Sequence, residues 1–231
     1  MATANRKPTL DTRKKPRQRR ALDTVEVILD AAAQVLVARG PTGFTTNHVA
    51  ERAGVSVGTV YQYYPNKAAL LLQLHVREGR RTVASLESTL GGGAVVPPLG
   101  TDDALARMAA AIRHFFDMEA AEAPLRTALA RLDVLFADAP EFAQIRRDAL
   151  GLVRDFLGRH LGLKGDEAAE AAEVVVTVVS SMAERVTSQT TAPEDLDRWA
   201  GLVHRMLLAV LPPGRPTART PRRARRVVAR P

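Results

Sequence analysis

The residues best suited to chemistry crowd into one stretch, "AERAGVSVGTVYQYYPNK", from Ala50 to Lys67. It holds all three tyrosines of the chain, Tyr61, Tyr63 and Tyr64, together with Ser56, Thr59 and Gln62. Hydroxyls and a carboxamide in this company bond well to phosphate oxygens and base edges. Nothing nearby would turn them into nucleophile and base. The five histidines (His48, His75, His114, His160, His204) are scattered without metal-ligand spacing such as HExxH. Cysteine is absent, which excludes disulfides, thiolate zinc sites and cysteine nucleophiles. "GGG" at 91–93 lacks the Lys-Ser/Thr of a phosphate loop. No enzyme, cofactor or metal is expected.

The elements that must position these side chains follow from spacing. In the twenty residues from Thr46 to Pro65, Ala50 is fifth, Gly54 ninth and Val60 fifteenth. That is the spacing of a helix-turn-helix. The alanine is small because a second helix crosses close above it. The glycine takes the left-handed turn, and the valine plugs the angle between the helices. An ordinary tight helical hairpin is the plainer alternative. Ser56 is a natural N-cap for the second helix. Val60 and Tyr64, four apart, then point inward. Ser56, Val57, Gly58, Thr59, Tyr61 and Gln62 face outward with Tyr63 on the flank, although Tyr61 and Tyr63 packing on neighbouring helices is the competing reading. Thr45 and Thr46 start the preceding helix, whose free amides suit a phosphate. Lys67 opens the following helix and would clamp the same strand.

Charge placement supports a polyanionic partner. The net charge is +8. Residues 1–20 hold eight Lys/Arg and one acid, a net of +7; residues 212–231 hold seven Arg and no acid, also +7. The body, 21–211, is left at −6. An acidic body with two basic ends fits nucleic acid, or simply a soluble Arg-rich protein. Both ends combine proline with like charge and read as disordered. The N-terminus lacks the apolar core of a signal peptide, and no run of about 18 apolar residues exists, so a cytoplasmic protein with no membrane partner is expected.

Between the tails the periodicity is helical throughout, predicting an all-α fold. Asp23 or Thr24 opens a first helix with Ile28, Ala31, Ala32, Val35 and Leu36 on one face, ended by a left-handed Gly40 before Pro41. Asn66 caps a long helix to about residue 90. Further helices are predicted near 102–121, 124–137, 141–161, 166–189 and 194–211. "VVVTVV" (174–179) has strand propensity, but its helical flanks and lack of a pairing partner make it a buried helix. The expected organisation is a basic arm (1–20), a helix-turn-helix domain (21–67), a helical body (68–211) and an Arg/Pro-rich tail (212–231).

From Val25 to Leu72 the sequence resembles the DNA-binding domain of the TetR-type (TetR/AcrR) transcriptional regulators. The resemblance rests on "LVARG", "TTNHVAERAGVSVGTVYQYY" and "PNKAALL", about a fifth of the chain. It implies a three-helix N-terminal domain on double-stranded DNA, and a helical C-terminal domain for effector binding and dimerisation. Thr45 or Thr46, Ser56, Gly58, Tyr61, Tyr63 and Lys67 correspond to usual phosphate contacts, and Asn47, Val57, Thr59 and Gln62 to usual base readers. Three positions depart from the pattern. Val57 is often lysine, His48 often acidic and Tyr63 often histidine. Residues 21–67 carry a net charge of −1. The arm residues Arg13, Lys14, Lys15, Arg17, Arg19 and Arg20 are therefore expected to supply the missing phosphate contacts.

The family further implies a homodimer on a near-palindromic operator, released by a small-molecule effector; a non-specific architectural DNA binder and an activator of the same fold are the alternatives. The stripes Met108, Ile112, Phe115, Phe116; Leu129, Leu132, Leu135, Phe136; and Phe142, Ile145, Leu152, Phe156 read first as core. Met108, His114, Phe115, Asp133, His160 and Thr177 are the candidates for an effector pocket. Val175, Val178, Met182, Trp199, Val203, Met206 and Val210 are those for a dimer interface, with intrachain core as the alternative.

Overall fold

The computed structural model describes residues 19–91 and 99–211, and every secondary-structure element among them is an α-helix. The expectations for Arg13, Lys14, Lys15, Arg17 and the C-terminal tail lie outside these residues. The first helix, α1 (Arg19–Gly43), is already helical at Arg19, earlier than Asp23 or Thr24. Arg19 and Arg20 thus belong to α1 by backbone, while their side chains lie outside the described part. Near its end α1 is interrupted at Gly40, whose φ of 64° with ψ of 176° is open to glycine but is not the left-handed cap expected. Pro41 and the fully buried Phe44 then turn the chain toward the second helix.

That helix, α2 (Thr46–Ala53), is capped by Thr45, whose Oγ1 accepts from the His48 amide at 3.2 Å. Gly54 follows in the left-handed conformation (φ 67°, ψ 27°), and its amide reaches back to the carbonyls of Ala50 and Glu51. A side chain at this φ would be strained, so glycine makes the bend. Ser56 caps the short α3 (Val57–Tyr63) by accepting from the Thr59 amide at 3.0 Å. Asn66 caps α4 (Lys67–Leu90) in the same way, accepting from Ala69 at 2.9 Å. Each cap satisfies an amide that the first helical turn leaves open, worth about 1 kcal/mol.

The remainder is α5 (Thr101–Ala121), α6 (Ala123–Ala130), α7 (Asp133–Phe136), α8 (Pro140–Leu161), α9 (Gly165–Thr187) and α10 (Pro193–Val210). "VVVTVV" lies within α9. The stretch expected as one helix over 124–137 is instead two. Leu132 donates to Leu129 O at 2.7 Å and Leu135 to Leu132 O at 2.9 Å, so the backbone tightens into i→i+3 bonds there. The tightening buries both Leu132 and Phe136 and expels Leu135, read earlier as core, to the surface.

Two apolar cores result. The first joins α1, α2, α3 and the start of α4 (Ile28, Leu36, Val49, Val60, Leu70, Leu74), and it takes in Leu129, Leu132 and Phe136 from α6 and α7. The second unites α5, α8, α9 and α10 around Phe116, Leu157, Ala183 and Leu207. Helix α4 connects them, contributing Leu70 to Val76 to the first and Leu90 to the second.

Candidate nucleic-acid interface

The Gly54 bend sets α3 across α2 at close range, because Ala50 presents only a methyl group where they meet and Val60 fills the angle. Val60 and Tyr64 point inward and are buried. With the inner face committed, the outer edge carries Thr45, Asn47, Ser56, Gly58, Tyr61, Gln62 and Lys67, all solvent-exposed. Hydrogen bonds fix this edge from within. Ser56 Oγ lies 2.8 Å from Thr59 Oγ1, and Thr46 Oγ1 lies 3.1 Å from Tyr61 OH. The second bond ties the start of α2 to the middle of α3 across fifteen positions. Tyr61 keeps 40% of its surface exposed, so its hydroxyl is held in place without being hidden.

Gly58 is informative because the fold does not ask for it. A Cβ there would meet only Ser56 Oγ, at 3.6 Å, an ordinary contact. Glycine in a helix interior costs roughly 0.5–1 kcal/mol relative to alanine. A helix that bears this cost with room for a methyl leaves its outer surface bare for something that comes close.

Four expected contacts are placed differently. Tyr63, expected on the flank, is only 6% exposed and belongs to the first core. Its ring centre stands 6.5 Å from that of Tyr64, so two tyrosines rather than one plug the gap under α3. Thr46 is 8% exposed and its hydroxyl is engaged by Tyr61, leaving Thr45 as the open hydroxyl of the pair. Val57, expected outward, is half-buried against the first core, as is Thr59 in burial.

The acids of this domain are partly neutralised by α4. Asp30 Oδ1 lies 2.7 Å from Arg77 Nη1, and Glu26 Oε2 lies 3.3 Å from Arg81 Nη2. Both arginines sit on α4. Two of the four acids within 21–67 are thus paired with cations outside that segment, which eases the repulsion a polyanion would meet.

Residues 28–74 match the family model described as bacterial regulatory proteins, tetR family. Over this stretch the chain is similar to the TetR family. Of its relatives, the HTH-type transcriptional repressor KstR of Mycolicibacterium smegmatis is 40% identical over 67 residues, 29% of this chain and 33% of that protein. The uncharacterized HTH-type transcriptional regulator YvkB of Bacillus subtilis is 39% identical over 64 residues, 28% of this chain and 34% of that one. The chain therefore matches about a third of the length of these curated relatives. In overall fold it is similar to the fatty acid degradation regulator FadR of Bacillus halodurans, with a TM-score of 0.60 at 22% identity over 81% of this chain and 99% of that one.

The helical body holds a cavity of about 490 Å³ between α4, α5, α6, α8 and α9. Of the residues expected at an effector site, Met108 and Phe115 line it. His114 does not, and its Nε2 is taken up by Ser85 Oγ at 2.7 Å. Thr177 faces solvent. His160 is buried in a neighbouring groove, where it accepts from the Leu99 amide at 3.0 Å. The side chain of Asp133 lies outside the described part. Polar groups that do line the cavity, among them His75, Thr82, Glu119, Arg126, Arg146, Ser180 and Glu184, carry no signal in the sequence because each sits singly in an otherwise apolar or surface-like stretch. Burial and the nearby Arg126 push His75 down to about 4, so it is neutral at pH 7.

The face expected for dimerisation divides. Val175 and Val203 are buried in the second core, and Trp199 is half-buried against it. Met206 and Val210 are exposed, and so are Val174 and Leu202, which were not anticipated. Val178 and Met182 are intermediate.

Proposed function

We propose that this protein is a dimeric, sequence-specific repressor of the TetR type that places α3 in the major groove and leaves its operator when a small molecule fills the cavity. The observation that carries the reading is the outer edge of α2 and α3. Hydroxyl, amide and ammonium groups from Thr45, Asn47, Ser56, Tyr61, Gln62 and Lys67 project around a glycine that the fold leaves bare. Tyr61, Ser56, Thr45 and Lys67 bind phosphates, and Gln62 and Asn47 read bases. KstR is named a repressor, which supports the sign of regulation.

A second copy covers the exposed apolar side chains of α9 and α10, Val174, Leu202, Met206 and Val210. Two-fold symmetry then sets two recognition helices about 34–36 Å apart, one turn of DNA, and requires a near-palindromic operator. The cavity touches α6, whose Leu129 belongs to the first core. A ligand that fits only one position of α6 therefore biases the DNA-binding domain, by no more than its differential affinity for the two states.

Footprinting on the DNA flanking the protein's own gene, in excess random DNA, tests this. The expected result is a protected near-palindrome with two half-sites one helical turn apart. Loss of all protection under random competitor points instead to an architectural binder.

A further inference from the structure

A buried carboxylate lines the cavity, and this names the chemistry of its occupant. Glu119, on α5, is 8% exposed and lines the cavity. No hydrogen bond reaches its oxygens among the described residues; its nearest cation is Arg126 Nε, at 3.5 Å from Oε1. The Nε makes no hydrogen bond, and the other end of that guanidinium is engaged elsewhere. Its Nη2 donates to Glu122 Oε2 at 3.0 Å and to Thr82 Oγ1 at 2.7 Å. Glu184, on α9, also lines the cavity. Arg146, at the far wall, is paired with Glu173, and His75 is neutral at pH 7. Glu119 and Glu122 therefore share the Arg126 guanidinium beside a volume otherwise walled by Leu86, Met108, Ile112, Phe115, Leu152 and Val179.

We infer that the cavity takes an apolar molecule bearing one protonated amine, and that the amine donates to the Glu119 carboxylate. The inference rests on the proposed role of the cavity as the effector site. A buried carboxylate without a donor is costly, and a ligand ammonium supplies both the donor and the missing charge. A ligand carboxylate faces the opposite situation. Beside Arg126 it would meet the Glu119 and Glu122 carboxylates that already flank that guanidinium, and their repulsion opposes it. Glu119 already shows this tension. Burial raises its proton affinity, Arg126 lowers it, and Glu122 and Glu184 raise it further.

The test is calorimetric titration of the full-length protein at pH 7 with three probes of equal length: n-decylammonium, n-decanol and n-decanoate. Decylammonium is expected to bind at least tenfold more tightly than either of the others. Glu119→Gln is expected to reduce decylammonium to the level of decanol without changing decanol. Equal affinity for decylammonium and decanol, tighter binding of decanoate, or an unchanged decylammonium affinity in E119Q would each overturn the assignment; the wild-type ranking needs no variant to fold. Operator release by whichever probe binds is scored separately. If decanol or decanoate binds best and releases DNA, the effector site stands and only the amine assignment falls. If none of the three binds, both fall.

Discussion

The hydroxyls of Thr46 and Tyr61 stand 3.1 Å apart, joining the first turn of α2 to the middle of α3. The pair turns two mobile side chains into one oriented donor on an exposed edge. Tyr61→Phe is expected to weaken operator binding about tenfold, as loss of one hydrogen bond to a charged oxygen would. Folding stability should fall by no more than about 1 kcal/mol. Thr46→Val removes only the tether and should weaken binding less. Fluorescence anisotropy on labelled operator, alongside urea unfolding, separates the two effects. Equal, small losses in both variants would show that Tyr61 does not touch DNA.

Gly58 provides the opposite kind of test, because the protein itself has room for a methyl there. Gly58→Ala should leave the melting temperature unchanged or raise it, by the roughly 0.5–1 kcal/mol that separates glycine from alanine in a helix. Operator affinity should nevertheless drop at least tenfold if the backbone meets the duplex at this point. A variant that folds better and binds as well would remove Gly58 from the interface.

Arg77 and Glu78 test how α4 is joined to α1. Glu78 is 1% exposed and receives Arg77 at 2.7 Å and 2.8 Å, while Arg77 also holds Asp30. Arg77→Ala leaves the buried carboxylate only the longer contact from Arg81 Nη1 at 3.5 Å and should cost about 3 kcal/mol in urea unfolding. The double change Arg77→Met with Glu78→Met removes both charges together and should recover most of that loss.

His75 predicts a pH dependence with a definite sign. Its folded value, about 4, lies below its ordinary 6.5, so between these values the unfolded chain binds the extra proton. The stability it contributes is full above about pH 6.5 and is lost as pH falls toward 4, by up to about 3 kcal/mol. Denaturation midpoints across this window should fall more steeply for the wild type than for His75→Gln. Identical profiles would mean that His75 titrates normally.

The α10 surface distinguishes partner contacts from internal ones. Leu202 and Met206 are exposed, whereas Leu207 beside them is fully buried. Met206→Glu should dissociate the dimer in analytical ultracentrifugation with the circular dichroism unchanged. Leu207→Ala should instead cost about 2–5 kcal/mol of folding stability. A monomeric wild type at micromolar concentration would refute the interface.

Much of the fold was legible because its signals are local. The Ala50, Gly54 and Val60 spacing, the Thr45, Ser56 and Asn66 caps and the buried stripe of α1 each act within a few residues of themselves. The strand-prone "VVVTVV" could be assigned to a helix because its flanks outweigh it. What failed was decided by neighbours distant in the chain. The split between α6 and α7, with Leu135 outside, follows from where the first core sits. Tyr63 lies on a flank by helical angle, yet the first core closes over it.

The candidate sites divide the same way. The outer edge of α2 and α3 is a single contiguous segment, and periodicity placed Val60 and Tyr64 on its inward face. The cavity is lined from five helices, so Glu119, Arg126, Thr82 and His75 come together only when α4, α5 and α6 pack. Hydrogen bonds within a turn are encoded at short range, and the types of residue suffice to read them. Burial, charge imbalance and the pairing of one arginine with several carboxylates depend on long-range packing. Only the tertiary structure decides them, because desolvation is a property of everything that surrounds a group.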